Sequence, residues 1–219
     1  VSDYYVKKRY KGYCLKYHFK VISEMMGGIN GKILDAGCGT GIISELYPSL
    51  DIVGIDVSVG MLKHHKGKNK LASICNIPFD DNTFDGVVCR SVLHHLPDPK
   101  KALSEIKRVL KPGGYFVCWE TNKSWLATIV RKFTQHGDKF SSYHCAFNNL
   151  PILISSYFSI SKIKYQGYLA YPLFGFPDVV DFSGWLWPFY ELLTMADRFI
   201  SRLPLLNKLG FAVMIKAEK

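Results

Sequence analysis

Three glycines stand at alternate positions in "ILDAGCGTG", residues 33–41, directly after an apolar run that ends in Asp35. Gly37, Gly39 and Gly41 fall at a predicted turn between a strand and a helix. Their missing side chains let a ligand lie against the main chain, and the following helix presents its first N–H groups to an anion. The turn therefore predicts a ligand with a carboxylate or a phosphate near the glycines.

Two acidic residues narrow the choice of ligand. The dinucleotide fingerprint G-x-G-x-x-G would need a third glycine where the sequence has Ile42. The charge of Asp35 would repel a pyrophosphate but attract an ammonium group. Asp56 ends the next strand, 21 residues after Asp35, where a carboxylate can accept both hydroxyls of a ribose. A nucleoside with an amino acid end, as in S-adenosylmethionine, meets these conditions.

Apolar strand patterns alternate with helical patterns along the chain. Seven segments read as strands, namely "KILDAG", "DIVGIDV", "LASIC", "FDGVVCRS", "YFVCWE", "SISKIKYQGY" and "LGFAVMIKAEK". This alternation predicts a Rossmann-like, doubly wound α/β fold. We expect a mostly parallel seven-stranded sheet with helices on both faces and a helical insert before the last strand. In such a sheet, ligands bind beyond the carboxyl ends of the strands.

We expect a single domain over residues 1–219. It would consist of an N-terminal helical cap (1–30), a cofactor-binding core (31–121) and an acceptor-side half (122–219) with the insert at 169–206. Within the insert, apolar residues at helical spacing form a stripe opposite Glu191, Asp197, Arg198 and Arg202. The stripe comprises Phe189, Leu192, Leu193, Ala196, Phe199, Ile200 and Leu203. It either roofs an acceptor pocket or packs as ordinary core, and the aromatic content of the insert favours an apolar acceptor or a membrane surface.

The composition limits the partners and the compartment. The formal net charge of +10 attracts nucleic acid, anionic lipid or acidic small molecules without selecting among them. No nucleic-acid-binding signature accompanies this charge, so nucleic acid is disfavoured. The 6 cysteines are scattered without a C-x-x-C pair and indicate reduced thiols. No apolar run reaches the roughly 20 residues that span a bilayer, so we expect a cytoplasmic protein with peripheral membrane contact as an option.

Four motifs in register over about residues 30–121 carry a family resemblance. They are "ILDAGCGTG", "VGIDVSVGML", "NIPFDDNTFDGVVCRSVLHHLPDP" and "ALSEIKRVLKPGG". With them the chain resembles the class I S-adenosylmethionine-dependent methyltransferases, and within these the small-molecule branch (methyltransferase type 11) that includes quinone-pathway enzymes. The resemblance implies S-adenosylmethionine as cofactor and a small, hydrophobic or lipid-like acceptor.

The resemblance also implies roles for individual residues in cofactor binding. Asp56 would bind the ribose hydroxyls, and Val57 would pack on the adenine. Met61 would either join Val57 there or belong to the core. The residues around the methionine part would be Asp35, Gly37, Cys38 and Gly39.

The adenine contact departs from the family pattern. The family usually has an acid that accepts the adenine amino group, and the residue aligned with it is Ser73. Ile74 through its backbone N–H, and Cys75 or Asn76 close by, are the alternatives. Arg90, after the fourth strand, would lie beside the methionine carboxyl group or turn toward the acceptor.

Histidines are the candidates for a catalytic base, since their pKa lies in the useful range. His94 and His95 follow the fourth strand, and one of them could instead only fasten the loop. The resemblance places His144 near the acceptor. His64 and His65, among lysines, are expected on a solvated helix face.

Three functions are compatible with these sequence features. The first is methyl transfer to a small, hydrophobic or lipid-like molecule. The second is a non-catalytic, cofactor-binding partner subunit, which the missing acid at Ser73 permits. The third is RNA methylation, which only the charge supports.

Overall fold

The computed structural model describes residues 20, 22–24, 26–125, 149–170, 173, 184–204 and 206–219. Most of the expected N-terminal cap, part of the insert and His144 lie outside these residues. Along the described chain, no helix is both long enough and apolar enough to cross a membrane.

Seven strands of the described chain form one sheet with the order β3-β2-β1-β4-β5-β7-β6. The strands are β1 (Lys32–Ala36), β2 (Asp51–Asp56), β3 (Lys68–Leu71), β4 (Phe84–Arg90), β5 (Leu110–Thr121), β6 (Ser159–Gln166) and β7 (Ala212–Glu218). The expected Rossmann-like α/β fold is thereby confirmed. The predicted position of the third strand is wrong, because β3 precedes "LASIC" and only its last residue belongs to that segment.

The strand directions define where a ligand can bind. Strands β1 to β5 pair in parallel in the order given. The start of β5 lies beside the end of β7, since Gly113 and Gly114 exchange backbone hydrogen bonds with Lys219, so β7 runs antiparallel to β5. The strand order reverses between β1 and β4. The carboxyl ends of these two strands therefore form the switch point at which such sheets bind ligands.

Short helices connect the strands. They are α1 (Ile42–Leu46), α2 (Val59–Leu62), α3 (Pro99–Val109), α4 (Leu150–Ser155) and α5 (Tyr190–Ile200), with 3₁₀ segments at Leu93–His95, Gly184–Phe189 and Asn207–Leu209. Asp98 begins α3 by accepting the N–H of Lys100 at 3.0 Å. The helix buries Leu103, Ile106 and Val109, as their spacing predicts.

The chain divides into two compact units. The core unit comprises Ser23–Glu120, Asn149–Ile163 and Met214–Lys219, and the insert unit comprises Val1–Ile22, Thr121–Asn148 and Lys164–Val213. The interior of the core unit is made of strand residues that are almost completely buried, among them Ile33, Leu34, Phe84, Val87, Val88, Phe116 and Val117.

The helical stripe of the insert is only partly buried. Within α5, Tyr190 and Thr194 are the buried residues, whereas Leu192 and Phe199 are exposed. Asp197, predicted on the solvated side, accepts backbone N–H groups of the insert unit. Leu193, Ala196 and Ile200 of the stripe are half-buried, and Glu191 and Arg198 on the other side are exposed, so only part of the stripe is core.

A charged network ties the segment before β4 to α3. The Arg108 guanidinium donates to the carbonyls of Ile77 and Phe79 and to Asp81, at 2.8 to 2.9 Å. Glu105 accepts from Arg108 at 2.8 Å and from the Ile77 N–H at 2.8 Å. The hydrogen bond from Arg108 lowers the pKa of Glu105 below its ordinary value.

This network predicts a pH-dependent stability. Because the folded pKa of Glu105 is depressed, its stabilisation is present above the unfolded pKa and is lost as pH falls through the folded pKa. At pH 7, Glu105→Gln should lower the free energy of unfolding by roughly 1–3 kcal/mol, and the difference from wild type should shrink below about pH 4. Urea unfolding at both pH values measures this. Glu45→Gln, which removes an exposed pair with Lys66 at 3.8 Å, is the matched control; an equal loss there, or a constant loss at all pH values, would contradict the prediction.

Candidate active site

The glycine turn after β1 combines a closed side with an open side. Gly37 has φ 81° and Gly39 has φ 53°. A Cβ added to Gly37 would lie 2.2 Å from Cγ2 of Val92, whereas a Cβ added to Gly39 would meet no atom within 4 Å. The N–H groups of Gly37 and Cys38 donate to the Ile55 carbonyl of β2. The turn is thus packed at Gly37 and offers bare main chain to a ligand at Gly39.

Asp56 connects this turn to the next helix. Its Oδ2 accepts the Gly39 N–H at 2.9 Å, and its Oδ1 accepts the Ser58 N–H at 2.8 Å. Each carboxylate oxygen can accept a second hydrogen bond. The side chain, half-buried at the end of β2, can therefore bind two ligand hydroxyls while it holds both main-chain segments.

Asp35 and Cys38 lie beneath the turn, and both are buried. A Cβ on Gly54 would be 2.6 Å from the Cys38 sulfur, so the thiol occupies the space that a side chain at position 54 of β2 would need. Burial, with the charges of Asp35 and Asp56 in addition, raises the pKa of Cys38 far above its ordinary value. The thiol is therefore protonated and supports the turn as a packing group.

The segments that the resemblance assigns to the adenine follow β2 and β3. Val57 is exposed and Met61 is half-buried, so an apolar ligand surface can contact both. Ser58 caps α2, since its Oγ accepts the Met61 N–H at 3.3 Å. The carbonyl of Asp56 accepts the N–H of Ala72 at 3.0 Å, which fixes the chain just before Ser73.

Residues 73–76 form a tight turn. The Ser73 carbonyl accepts the Asn76 N–H at 3.0 Å, and its hydroxyl accepts the Cys75 N–H at 3.1 Å. The Ile74 side chain is buried, whereas Asn76 is exposed and Cys75 is half-buried. The Ser73 hydroxyl thus serves the turn itself, in the position where the family pattern has an acid.

Arg90 ends β4 at the switch point. Its guanidinium carbon lies 5.7 Å from the centre of the Trp119 ring, its register partner on β5. This cation–π contact orients a half-buried positive charge at the edge of the sheet that carries the glycine turn.

Glu120 organises the histidine loop, a role that was not predicted from the sequence. Its Oε1 accepts the N–H groups of Val92 and Leu93, each at 2.8 Å. Its Oε2 lies 2.5 Å from Nδ1 of His94, and both side chains are buried. The signal that could have found it is an acid at the end of an apolar strand, the same signal that Asp35 and Asp56 give.

The histidines have different surroundings. His95 is exposed, and its ring centre lies 4.0 Å from that of the buried His94. The expectation of a solvated face is wrong for His65, which is buried against Gly41 and Gly54. Its Nδ1 accepts the Gly67 N–H at 3.0 Å, and burial lowers its pKa. His65 is therefore a neutral packing residue below the turn.

These features define a nucleoside-binding α/β protein, and comparison with known proteins specifies it. A family model described as "Methyltransferase domain" matches residues 34–118. The demethylmenaquinone methyltransferase of Staphylococcus carnosus is 33% identical over 172 residues, which cover 73% of this chain and 67% of that protein. Its counterpart in Staphylococcus epidermidis is 34% identical over 179 residues, which cover 75% of this chain and 69% of that protein.

Solved structures agree on the fold. A methyltransferase from Thermotoga maritima, described as a possible histamine N-methyltransferase, gives a TM-score of 0.64 at 18% identity and covers 94% of this chain and 91% of its own. A geranyl diphosphate methyltransferase solved with geranyl diphosphate and sinefungin gives a TM-score of 0.60 at 13% identity. The match covers 93% of this chain and 77% of that one.

The chain belongs to the class I S-adenosylmethionine-dependent methyltransferases. It is accordingly an enzyme, and S-adenosylmethionine is its methyl donor. The residues fit that cofactor, because the open space at Gly39 and the two acceptor oxygens of Asp56 lie side by side.

We predict that Asp56→Asn weakens the binding of both the cofactor and its demethylated product. In asparagine one of the two carboxylate oxygens becomes an NH₂ group, which cannot accept the N–H of Gly39 or Ser58, and the negative charge is lost. Since charge-assisted hydrogen bonds contribute roughly 1.5–3 kcal/mol, both affinities should fall about tenfold or more in titration calorimetry. Asp51→Asn, at the exposed start of the same strand, is the control and should bind like wild type; unchanged affinity in Asp56→Asn would contradict the assignment.

Proposed function

We propose that the protein transfers the methyl group of S-adenosylmethionine to a small, hydrophobic, quinone-like lipid. The observation that carries this proposal is the 33–34% identity, over two thirds of their length, to enzymes named demethylmenaquinone methyltransferases. The exposed apolar face of α5 suits a protein that meets a lipid. We further propose that it is cytoplasmic and reaches its acceptor at the membrane surface.

The cofactor supplies a methyl group that is already electrophilic, because it is bound to a sulfonium. The chain has to hold donor and acceptor in line, which can contribute on the order of 7–11 kcal/mol. In our proposal, Gly39 and Asp56 position the nucleoside. The other cofactor contacts stay predictions, namely those of Asp35, Gly37, Cys38, Val57, Met61, Ile74, Cys75, Asn76 and Arg90. The division into a cofactor-binding core (31–121) and an acceptor-side half (122–219) is also a prediction.

We assign the proton transfer to His94. An acceptor hydroxyl loses its proton as the new bond to the methyl group forms, and a base near neutral pKa suits that step. In this proposal the Glu120 carboxylate at Nδ1 orients the buried His94 ring, and that ring takes up the proton. The ring of His95 is exposed to solvent, whereas that of His94 is buried. The role of His144 stays a prediction.

A methyl-labelling assay tests the proposed function. Purified protein with labelled S-adenosylmethionine should transfer label to a demethylated quinone and to the quinone fraction of a lipid extract. Asp56→Asn at the same cofactor concentration is the control for cofactor-dependent transfer and should show little label. Transfer to RNA but not to lipid, or no transfer to any fraction, would overturn the proposed acceptor.

The role of His94 has its own test. Glutamine can still donate to Glu120 but cannot take up a proton, so His94→Gln should lower kcat by about 10²–10⁴ and leave the affinity for S-adenosylmethionine unchanged. His95→Gln, the exposed neighbour, is the matched control; an equal loss in both variants, or a wild-type kcat in His94→Gln, would assign His94 to fastening the loop.

A further inference from the structure

Helix α5 carries three large apolar side chains on its solvent side. Leu192 is 63% exposed, Met195 61% and Phe199 65%. Their spacing of three and four residues places them on one face. Tyr190 and Thr194, on the opposite face, are buried. A surface helix of a globular protein normally buries its apolar side chains; on α5, Leu193 and Ile200 are half-buried, whereas these three large side chains lie in solvent.

Hydrogen bonds within the insert unit hold α5 in this orientation. Asp197 accepts the Leu169 N–H at 2.7 Å through Oδ1 and the Ala170 N–H at 3.2 Å through Oδ2. The Tyr190 ring contacts that of Trp187, with 4.8 Å between their centres. Turning the apolar face inward would break the contacts of Asp197. The exposed face is therefore a fixed feature of the folded insert unit.

Positive charges accompany the apolar face. Arg198 and Arg202 are exposed on and just after α5, and Lys208 is exposed further along the chain. Glu191 is the acidic residue exposed on the same helix. Lys and Arg beside an apolar helical stripe are typical of helices that lie in the interface of an anionic membrane, where the cations meet lipid phosphates.

We propose that α5 docks the protein onto an anionic phospholipid membrane, with Leu192, Met195 and Phe199 inserted between the head groups. An 11-residue helix is about 16 Å long, so it can lie in the interface but cannot span the bilayer. The chain's formal charge of +10 opposes the approach of a second copy and attracts an anionic surface. This docking does not depend on which acceptor is methylated.

Vesicle flotation tests how much the apolar side chains of α5 contribute to membrane binding. The full chain should float with vesicles of phosphatidylcholine and phosphatidylglycerol, and Leu192→Ser/Phe199→Ser should lower the bound fraction at limiting lipid about tenfold. Ile152→Ser is the matched control, because Ile152 is also 63% exposed and lies on a helix of the core unit. It should float like wild type.

The electrostatic contribution needs a second pair of variants. Arg198→Gln/Arg202→Gln should weaken flotation with the anionic vesicles, and added salt should weaken wild type in the same way. Lys100→Gln/Lys107→Gln removes two exposed cations from α3 and should have a smaller effect. Pure phosphatidylcholine vesicles should bind wild type more weakly than the anionic ones.

Several outcomes would overturn the docking proposal. Docking would be contradicted if wild type does not float, or if Leu192→Ser/Phe199→Ser floats like wild type. A third such outcome is that wild type is a dimer and this variant is a monomer, which would assign the face to contact with a second copy. Methyl transfer to a short-chain, water-soluble acceptor is measured in parallel. Docking predicts that the variant keeps that activity, whereas its loss would make α5 part of the acceptor site. Wild type that floats but methylates no quinone would reject the proposed acceptor alone.

Discussion

The candidate site depends on the carboxylate of Asp56, which holds two main-chain segments at once. The parallel register sets Ala36 of β1 beside Ile55 of β2, so the residue after Ile55 reaches the glycine turn. Asp56 then accepts the N–H groups of Gly39 and Ser58, which fixes the turn against the start of α2. Because these donors belong to the main chain, the geometry of the site follows from strand register and tolerates change in many side chains.

Glu120 also uses a carboxylate to hold main-chain N–H groups, on the other side of the switch point. A buried carboxylate is costly unless it is hydrogen-bonded, and Glu120 accepts two consecutive N–H groups and also contacts His94. Asp35 and Glu120 both contribute to raising the pKa of Cys89, after burial itself. The carboxyl edge of the sheet therefore concentrates negative charge, which suits a sulfonium or ammonium ligand and disfavours a pyrophosphate.

The sequence could predict the features that depend on local pattern. Glycine spacing, acids at strand ends and the apolar face of α3 each follow from a few neighbouring residues, and the structure has the fold they indicate. The burial of His65 and the hydrogen-bond partners of Glu120 could not be predicted in this way, because distant segments build the surroundings of both residues. His65 is buried because Gly41 and Gly54 leave room for its ring, and Glu120 matters because the chain after β4 presents two N–H groups to it.

The orientation of α5 could not be predicted from local pattern either, and it matters for the proposed function. Helical spacing identifies an apolar stripe but not which of its members are buried, since a polar side chain can be buried when its groups are hydrogen-bonded. Asp197 satisfies that condition by accepting the N–H groups of Leu169 and Ala170, and it leaves Leu192 and Phe199 in solvent. The donor needs only to be held, because its methyl group is already activated. The apolar acceptor that we propose would have to be extracted from lipid, and an exposed apolar helix beside cations is the kind of surface which that task requires.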